Sequence, residues 1–248
     1  MCIRDRVYGN AQVFGNAHVY GEAWVSGNAW VYGNARVFDD AKVYSNAQVY
    51  GKAQVFGYAQ VYGKAQVFGK AQVYGEARVC GEARVYGEAR AFDDVWVDGN
   101  AHVYGNAQVY GKAQVFGYAQ VYGNAWVRGS ARVYGNAHVY GYTEVYGYAW
   151  VYGKALVYGN ARVYGNAKVS DDAWVRGSAR VYGNAHVYGY ARAADNAQVY
   201  GYAWVYGKAQ LCGKAEVCGK AAVLGNTCLI GKSYVTSRFD ETENEGDE

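Results

Sequence analysis

Hydrophobic and polar positions recur in a six-residue unit from Val7 to about Val235, and Val103–Gln120 (VYGNAQVYGKAQVFGYAQ) contains three copies of it. Written V-Y-G-N-A-x, the unit contains the run A-x-V-Y. In an extended chain, Ala and Val of this run face one side, and the variable residue and the aromatic face the other. We expect a strand of about four residues with Ala and Val buried. Gly followed by a polar residue predicts a corner, because glycine and asparagine tolerate left-handed backbone angles.

A corner every six residues leaves no room for a hairpin, so the chain must wind. Hexapeptide periods are typical of parallel β-helices, in which each rung pairs with the rungs above and below. Three hexads, or 18 residues, close one triangular turn. The predicted fold class is therefore all-β: a single-stranded parallel β-helix, a triangular solenoid with three hexads per coil and about 13 coils.

The hexad resembles that of the hexapeptide-repeat left-handed β-helix proteins, a superfamily that includes trimeric acyltransferases and has an aliphatic residue first and a small residue fifth. The resemblance covers Val7 to about Val235. It implies a left-handed coil, although β crossovers are ordinarily right-handed, and a homotrimer. This chain departs from the family pattern by carrying Tyr or Phe where Gly is frequent, so its outer surface is expected to be unusually aromatic.

The uninterrupted repeat predicts one solenoid over residues 7–240, flanked by two segments that do not fit it. Residues 1–6 (MCIRDR) are interpreted as a non-repeat leader; they lack the apolar core of a signal peptide and resemble a translated sequencing-adapter tail. On that interpretation an upstream cap, signal or catalytic domain is missing. The compartment then stays open, with the cytoplasm as the default. Residues 241–248 (ETENEGDE) are predicted to be a disordered acidic tail.

Composition excludes several classes of partner. The net charge of +3 is small and dispersed, which argues against nucleic acid. No apolar run is long enough for a membrane span. Clustered cysteines would indicate disulfides or zinc, but no two of the five lie one 18-residue coil apart. Free thiols and no bound metal are expected. These cysteines are Cys2, Cys80, Cys212, Cys218 and Cys228.

Four hexads carry Asp in place of the corner glycine: Asp39, Asp93, Asp171 and Asp195. Aspartate can turn the chain by bonding its own backbone, so these are predicted to be substituted corners. Paired carboxylates for acid–base or metal chemistry are the alternative. It is disfavoured because these residues fall on different faces or several coils apart.

The resemblance also implies an enzyme alternative, an acyltransferase that uses acyl-coenzyme A and a histidine base near a loop that interrupts the coils. No such loop is visible, and all four histidines occupy the variable position. His102 and His138 are the candidates. The repeat predicts them on one face two rungs, or roughly 10 Å, apart, which is too far to share a metal. The leading hypothesis is a protein with no cofactor and no catalysis.

That leading hypothesis is a structural or binding solenoid that presents aromatic faces to a polysaccharide or a partner protein. Steps of 18 residues align variable positions on one face, and the pentad YAWVY occurs twice, three coils apart. Aromatic rings with cations between them suit sugar rings or an anionic polymer. A ladder that only stiffens the solenoid is the alternative. The candidate binding residues are Tyr148, Trp150, Tyr152, Lys168, His186, Tyr202, Trp204 and Tyr206.

Overall fold

The computed structural model describes residues 7–236, so the predicted leader and acidic tail, and Cys2, lie outside the described residues. Over this range the chain is all-β, with 38 short parallel strands and no helix. The chain divides at residues 130 and 131 into two compact units. We refer to residues 7–130 as unit 1 and to residues 131–236 as unit 2.

The strands of unit 1 are β1 (Gln12–Val13), β2 (His18–Val19), β3 (Trp24–Val25), β4 (Trp30–Val31), β5 (Arg36–Val37), β6 (Lys42–Val43), β7 (Gln48–Val49), β8 (Gln54–Val55), β9 (Gln60–Val61), β10 (Gln66–Val67), β11 (Gln72–Val73), β12 (Arg78–Val79), β13 (Arg84–Val85), β14 (Arg90–Ala91), β15 (Trp96–Val97), β16 (His102–Val103), β17 (Gln108–Val109), β18 (Gln114–Val115), β19 (Gln120–Gly123) and β20 (Trp126–Val127). They form three sheets in the orders β1-β4-β7-β10-β13-β16-β19, β2-β5-β8-β11-β14-β17-β20 and β3-β6-β9-β12-β15-β18.

The strands of unit 2 are β21 (Arg132–Val133), β22 (His138–Gly141), β23 (Glu144–Val145), β24 (Trp150–Val151), β25 (Leu156–Val157), β26 (Arg162–Val163), β27 (Lys168–Val169), β28 (Trp174–Val175), β29 (Arg180–Val181), β30 (His186–Val187), β31 (Arg192–Ala193), β32 (Gln198–Val199), β33 (Trp204–Val205), β34 (Gln210–Leu211), β35 (Glu216–Val217), β36 (Ala222–Val223), β37 (Cys228–Leu229) and β38 (Tyr234–Val235). Their three sheets have the orders β21-β24-β27-β30-β33-β36, β22-β25-β28-β31-β34-β37 and β23-β26-β29-β32-β35-β38.

Every third strand pairs, so one turn of the solenoid takes three hexads, as the sequence predicts. The register is 18 residues, as in the pairs Gln66↔Arg84 and Val67↔Val85. At three strands per turn, 38 strands make between 12 and 13 turns, against the 13 predicted. The predicted strand length of four residues is wrong: nearly all strands have two, because the corner after each aromatic residue ends the extended backbone. β19 and β22 alone among the described strands have four.

Backbone pairing nevertheless continues around the corners. The N–H of Gln48 donates to the Ala65 carbonyl at 2.9 Å, and that of Lys52, after the corner, donates to the Gly69 carbonyl at 2.7 Å. Alternate residues therefore bond to the next coil throughout the hexad. This satisfies backbone groups that a two-residue strand would otherwise leave unpaired.

The core consists of the Ala and Val columns, and the predicted inward and outward assignment is confirmed. Ala107 and Val109 are fully buried, whereas Tyr110 is half-buried and faces outward. Where threonine replaces alanine at Thr143, its hydroxyl donates to the Tyr140 carbonyl at 2.6 Å. The buried hydroxyl is thereby satisfied, as a polar group in such a core must be.

The corners require left-handed backbone angles. At Gly63 φ is +71°, and a Cβ atom there would lie 2.9 Å from the Gly81 carbonyl oxygen of the next coil. Asp39, Asp93, Asp171 and Asp195 take φ values of 57° to 62°, which confirms that they are substituted corners. Ser45, with φ of 64°, is a further substituted corner that the sequence analysis missed.

The predicted hydrogen bond of these aspartates to their own backbone is wrong. Each carboxylate accepts instead from the corner glycine one coil further on; Asp39, for example, accepts from the N–H of Gly57 at 3.3 Å. The reason is geometric. Successive corners lie one rung apart, so the nearest donor for an outward carboxylate belongs to the next coil.

Candidate functional site

Aromatic side chains at the second hexad position form continuous ladders in each unit. In unit 1, neighbouring rings lie 4.7 to 5.0 Å apart between centroids and within 6° of parallel. Each ring therefore covers the face of the next and turns its edge toward solvent. One ladder comprises Phe14, Tyr32, Tyr50, Phe68, Tyr86, Tyr104 and Tyr122, and a second comprises Tyr20, Phe38, Phe56, Tyr74, Phe92 and Tyr110.

The candidate binding residues lie together on one sheet of unit 2, and we call its outward surface the binding face. This sheet is β21-β24-β27-β30-β33-β36. Its variable positions pair in register as Arg132↔Trp150, Trp150↔Lys168, Lys168↔His186 and His186↔Trp204. The two YAWVY pentads therefore lie on the same face, three rungs apart.

Trp150 is enclosed by cations. The Arg132 guanidinium lies 5.2 Å from the indole centroid and the Lys168 ammonium lies 5.0 Å from it. Tyr134 meets the indole edge-on, at 6.3 Å and 72°. Cation–π attraction holds both cations over the ring. The indole faces are therefore occupied within the protein, and Trp150 positions charge rather than presenting a free face.

Trp204 has a different environment although its pentad is identical. His186 stacks on it at 5.5 Å and 21°, and Tyr188 meets it edge-on at 6.3 Å. Its neighbour on the other side of the column is Ala222. A methyl group covers little of an indole, and Trp204 is 48% exposed. Trp204 is thus the better of the two for stacking on a ligand.

The column beside these tryptophans is an interrupted ladder. Tyr152 stacks on Tyr134 at 4.9 Å, and Tyr206 stacks on Tyr188 at 5.0 Å. Between the two pairs the chain places Ser170, which is only 6% exposed. A hydroxymethyl group thus occupies the place of a ring.

Tyr148 and Tyr202 border the binding face at a corner. They are 66% and 62% exposed and project further than the ladder tyrosines. Between them, the Asn166 amide donates to the Asn184 side-chain oxygen at 3.1 Å. Along this corner, a polar pair of asparagines therefore lies between two exposed tyrosines.

The candidate catalytic histidines lie in different units, His102 on β16 and His138 on β22. His102, in unit 1, packs edge-on against Tyr86 at 6.1 Å, and burial together with Arg84 lowers its pKa. Burial also lowers the pKa of His138, in unit 2. The pKa of His186 is lowered by burial and by Lys168. Across residues 7–236 no three His, Cys, Asp or Glu side chains are grouped to hold a metal ion.

The cysteines described by the structure, Cys80, Cys212, Cys218 and Cys228, are free thiols, as predicted. Burial raises the pKa of Cys80 to about 11. A buried thiol with a raised pKa is poorly nucleophilic. Within the described part of the chain, no helix is long and apolar enough to cross a membrane.

Sequence analysis missed how often Trp and a cation pair between coils. Arg192 lies 4.7 Å from the Trp174 centroid, and Arg78 lies 5.6 Å from that of Trp96. The signal was present as Trp and Arg or Lys 18 residues apart in the variable column. Whether the cation folds over the ring depends on rotamers, which the spacing does not define.

This architecture makes the protein a hexapeptide-type parallel β-solenoid. In agreement, four segments match the family model described as the YdcK beta solenoid repeat: residues 11–27, 119–133, 155–171 and 161–177. Two of the matches are offset by six residues, the length of one hexad. No curated protein matches the chain.

Proposed function

We propose that this protein is a non-catalytic binding solenoid whose binding face captures an acidic polysaccharide. The observation that supports this most is the column Arg132, Trp150, Lys168, His186 and Trp204. It combines an exposed indole with cations on one sheet. Large rigid aromatic surfaces favour ring stacking at little entropic cost, and cations favour anionic groups.

The two pentads have separate roles in this proposal. Trp204 stacks on a sugar ring through the indole face next to Ala222. Trp150 holds Arg132 and Lys168 in place for carboxylates or sulfates of the polymer. Three rungs separate the two tryptophans, or about 14 Å. A linear polymer of several sugar units could span both.

A glycan array probed with the full chain tests this proposal, with tryptophan fluorescence titration to follow its hits. We expect hits among acidic glycans. Trp204→Ala should weaken them about tenfold, the size of one good aromatic contact. Trp30→Ala is the matched control. Trp30 occupies the same hexad position in unit 1, but its column neighbours are Gln12 and Gln48. An array without hits would refute the proposal. So would hits whose binding depends neither on the charge of the glycan nor on the Trp204→Ala substitution.

A further inference from the structure

The gap at Ser170 is the feature of the binding face that polysaccharide capture does not use. Short residues interrupt the aromatic columns elsewhere too, as Ser26 and Cys80 do. Here Tyr152 and Tyr188 lie two rungs apart, or about 9.6 Å, with Ser170 at the floor between them. The low exposure of Ser170 fits a narrow slot, in which the free space between the two rings has the thickness of one further ring.

The walls of this slot are supported from behind. Tyr134 stacks on the far side of Tyr152 within 3° of parallel, and Tyr206 stacks on the far side of Tyr188 within 5°. Each wall is therefore held parallel to the ring behind it, as the other ladder rings are. A flat ring inserted halfway would repeat the spacing of about 4.9 Å that the chain's own rings adopt. A puckered sugar ring is thicker and would have to push the walls apart.

The chain also shows where the polar end of such a ring would lie. Several ladder tyrosines direct their hydroxyl to the residue 16 positions later: Tyr182 donates to Gln198 at 3.3 Å and Tyr200 to Glu216 at 3.4 Å. For a ring at position 170 that residue is His186. Lys168 lies on the same strand, two residues before Ser170. Asp171 follows Ser170 in the chain, on the side away from Lys168. Its carboxylate already accepts a hydrogen bond from the Gly189 N–H at 3.1 Å.

We propose that the slot over Ser170 binds one small aromatic carboxylate, with its flat ring between Tyr152 and Tyr188 and its acid group toward Lys168 and His186. The ring gains two face-to-face contacts with walls that need no reorganisation. The acid gains a cation and a hydrogen-bond donor. This site goes beyond polysaccharide capture, because it needs the vacancy in the ladder and not the free face of Trp204.

The test uses the full chain and 4-hydroxyphenylacetate, which is a tyrosine side chain that ends in a carboxylate. Binding is measured by calorimetric titration and by saturation transfer NMR. Wild type and Ser170→Ala should bind with similar affinity. Ser170→Tyr should fill the slot with the chain's own ring, raise the melting temperature and weaken binding at least about tenfold. Absence of saturable binding to wild type, or equal binding to Ser170→Tyr, overturns the proposal.

A charge comparison tests the same site without filling it. The neutral amide 4-hydroxyphenylacetamide should bind wild type about two- to fivefold more weakly than the acid, the strength of an exposed ion pair. Lys168→Gln should remove this difference. If Ser170→Tyr fails to fold, this comparison decides: a preference for the acid that survives Lys168→Gln contradicts the proposal. Because Ser170→Tyr leaves Trp204 and Lys168 in place, it should retain glycan binding, so either proposal can fail without the other.

Discussion

The Asp171 carboxylate accepts a hydrogen bond from the backbone N–H of Gly189, one coil further along the solenoid, at 3.1 Å. The same contact recurs between Asp195 and Gly213 at 3.0 Å. Aspartate at a corner therefore compensates for its left-handed backbone by bonding the next coil. Corners substituted by aspartate act as links between coils.

Asp171→Ala should therefore destabilise the protein more than Asp171→Gly. Alanine loses the hydrogen bond, a cost of about 1 kcal/mol, and keeps the left-handed strain that wild type already has. Glycine loses the same bond but relieves about 1 kcal/mol of that strain, so its net effect should be near zero. Denaturant unfolding of the two variants measures the difference. Equal destabilisation by both would contradict the role given to the backbone angle.

A pair of aspartate substitutions in β17 and next to it tests the direction of the side chains. Val109→Asp would bury an unpaired charge at a fully buried position, and we expect a loss of several kcal/mol. Tyr110→Asp, one residue later, removes one ladder ring at the surface and should cost about 1 kcal/mol. Thermal unfolding followed by circular dichroism compares them. Similar losses for both would show that the inward and outward assignment is wrong.

The acyltransferase alternative makes an opposite prediction about ligands. On the binding-solenoid account, acyl-coenzyme A should not bind saturably, and His102→Ala and His138→Ala should not change any ligand binding. Equilibrium dialysis with acetyl-coenzyme A measures this directly. Saturable binding that is lost in either variant would favour an enzyme.

Thiol reactivity should follow burial. Cys80 is buried with a pKa of about 11, so at pH 8 only about one thiol in a thousand is the reactive thiolate. Cys228 is exposed. Among the four cysteines that the structure describes, limited alkylation of the native protein with iodoacetamide, read by mass spectrometry, should modify Cys228 first and Cys80 last. Denatured protein serves as the control, in which the order should disappear; Cys80 reacting first in the native state would contradict its burial.

The hexad was sufficient to predict the coil, its 18-residue register and the burial of residues such as Val109. These follow from period-two alternation and from a glycine at each corner. The strand length was overestimated, because an A-x-V-Y run does not show how early the chain must bend to reach the corner. Ser45 was missed because serine is not an established residue for left-handed angles.

The binding face could be predicted only in part. Register arithmetic placed Trp150, Lys168 and Trp204 in one column, which the structure shows. It could not show that cations cover both faces of Trp150, because that depends on side-chain rotamers. The slot at Ser170 was visible as a serine at an aromatic position. Its meaning required knowing that ladder rings stack face to face rather than facing solvent.

The central claim, that the outward face of β21-β24-β27-β30-β33-β36 binds an acidic polysaccharide, is tested most directly by one fluorescence titration. The full chain is titrated with a polyuronate oligosaccharide and with its carboxyl-reduced, neutral counterpart. We predict saturable binding of the polyuronate that weakens as salt rises, weaker binding of the neutral sugar, and about tenfold loss in Trp204→Ala. No saturable signal with wild type, or equal affinity of wild type and Trp204→Ala for both sugars, would contradict the account.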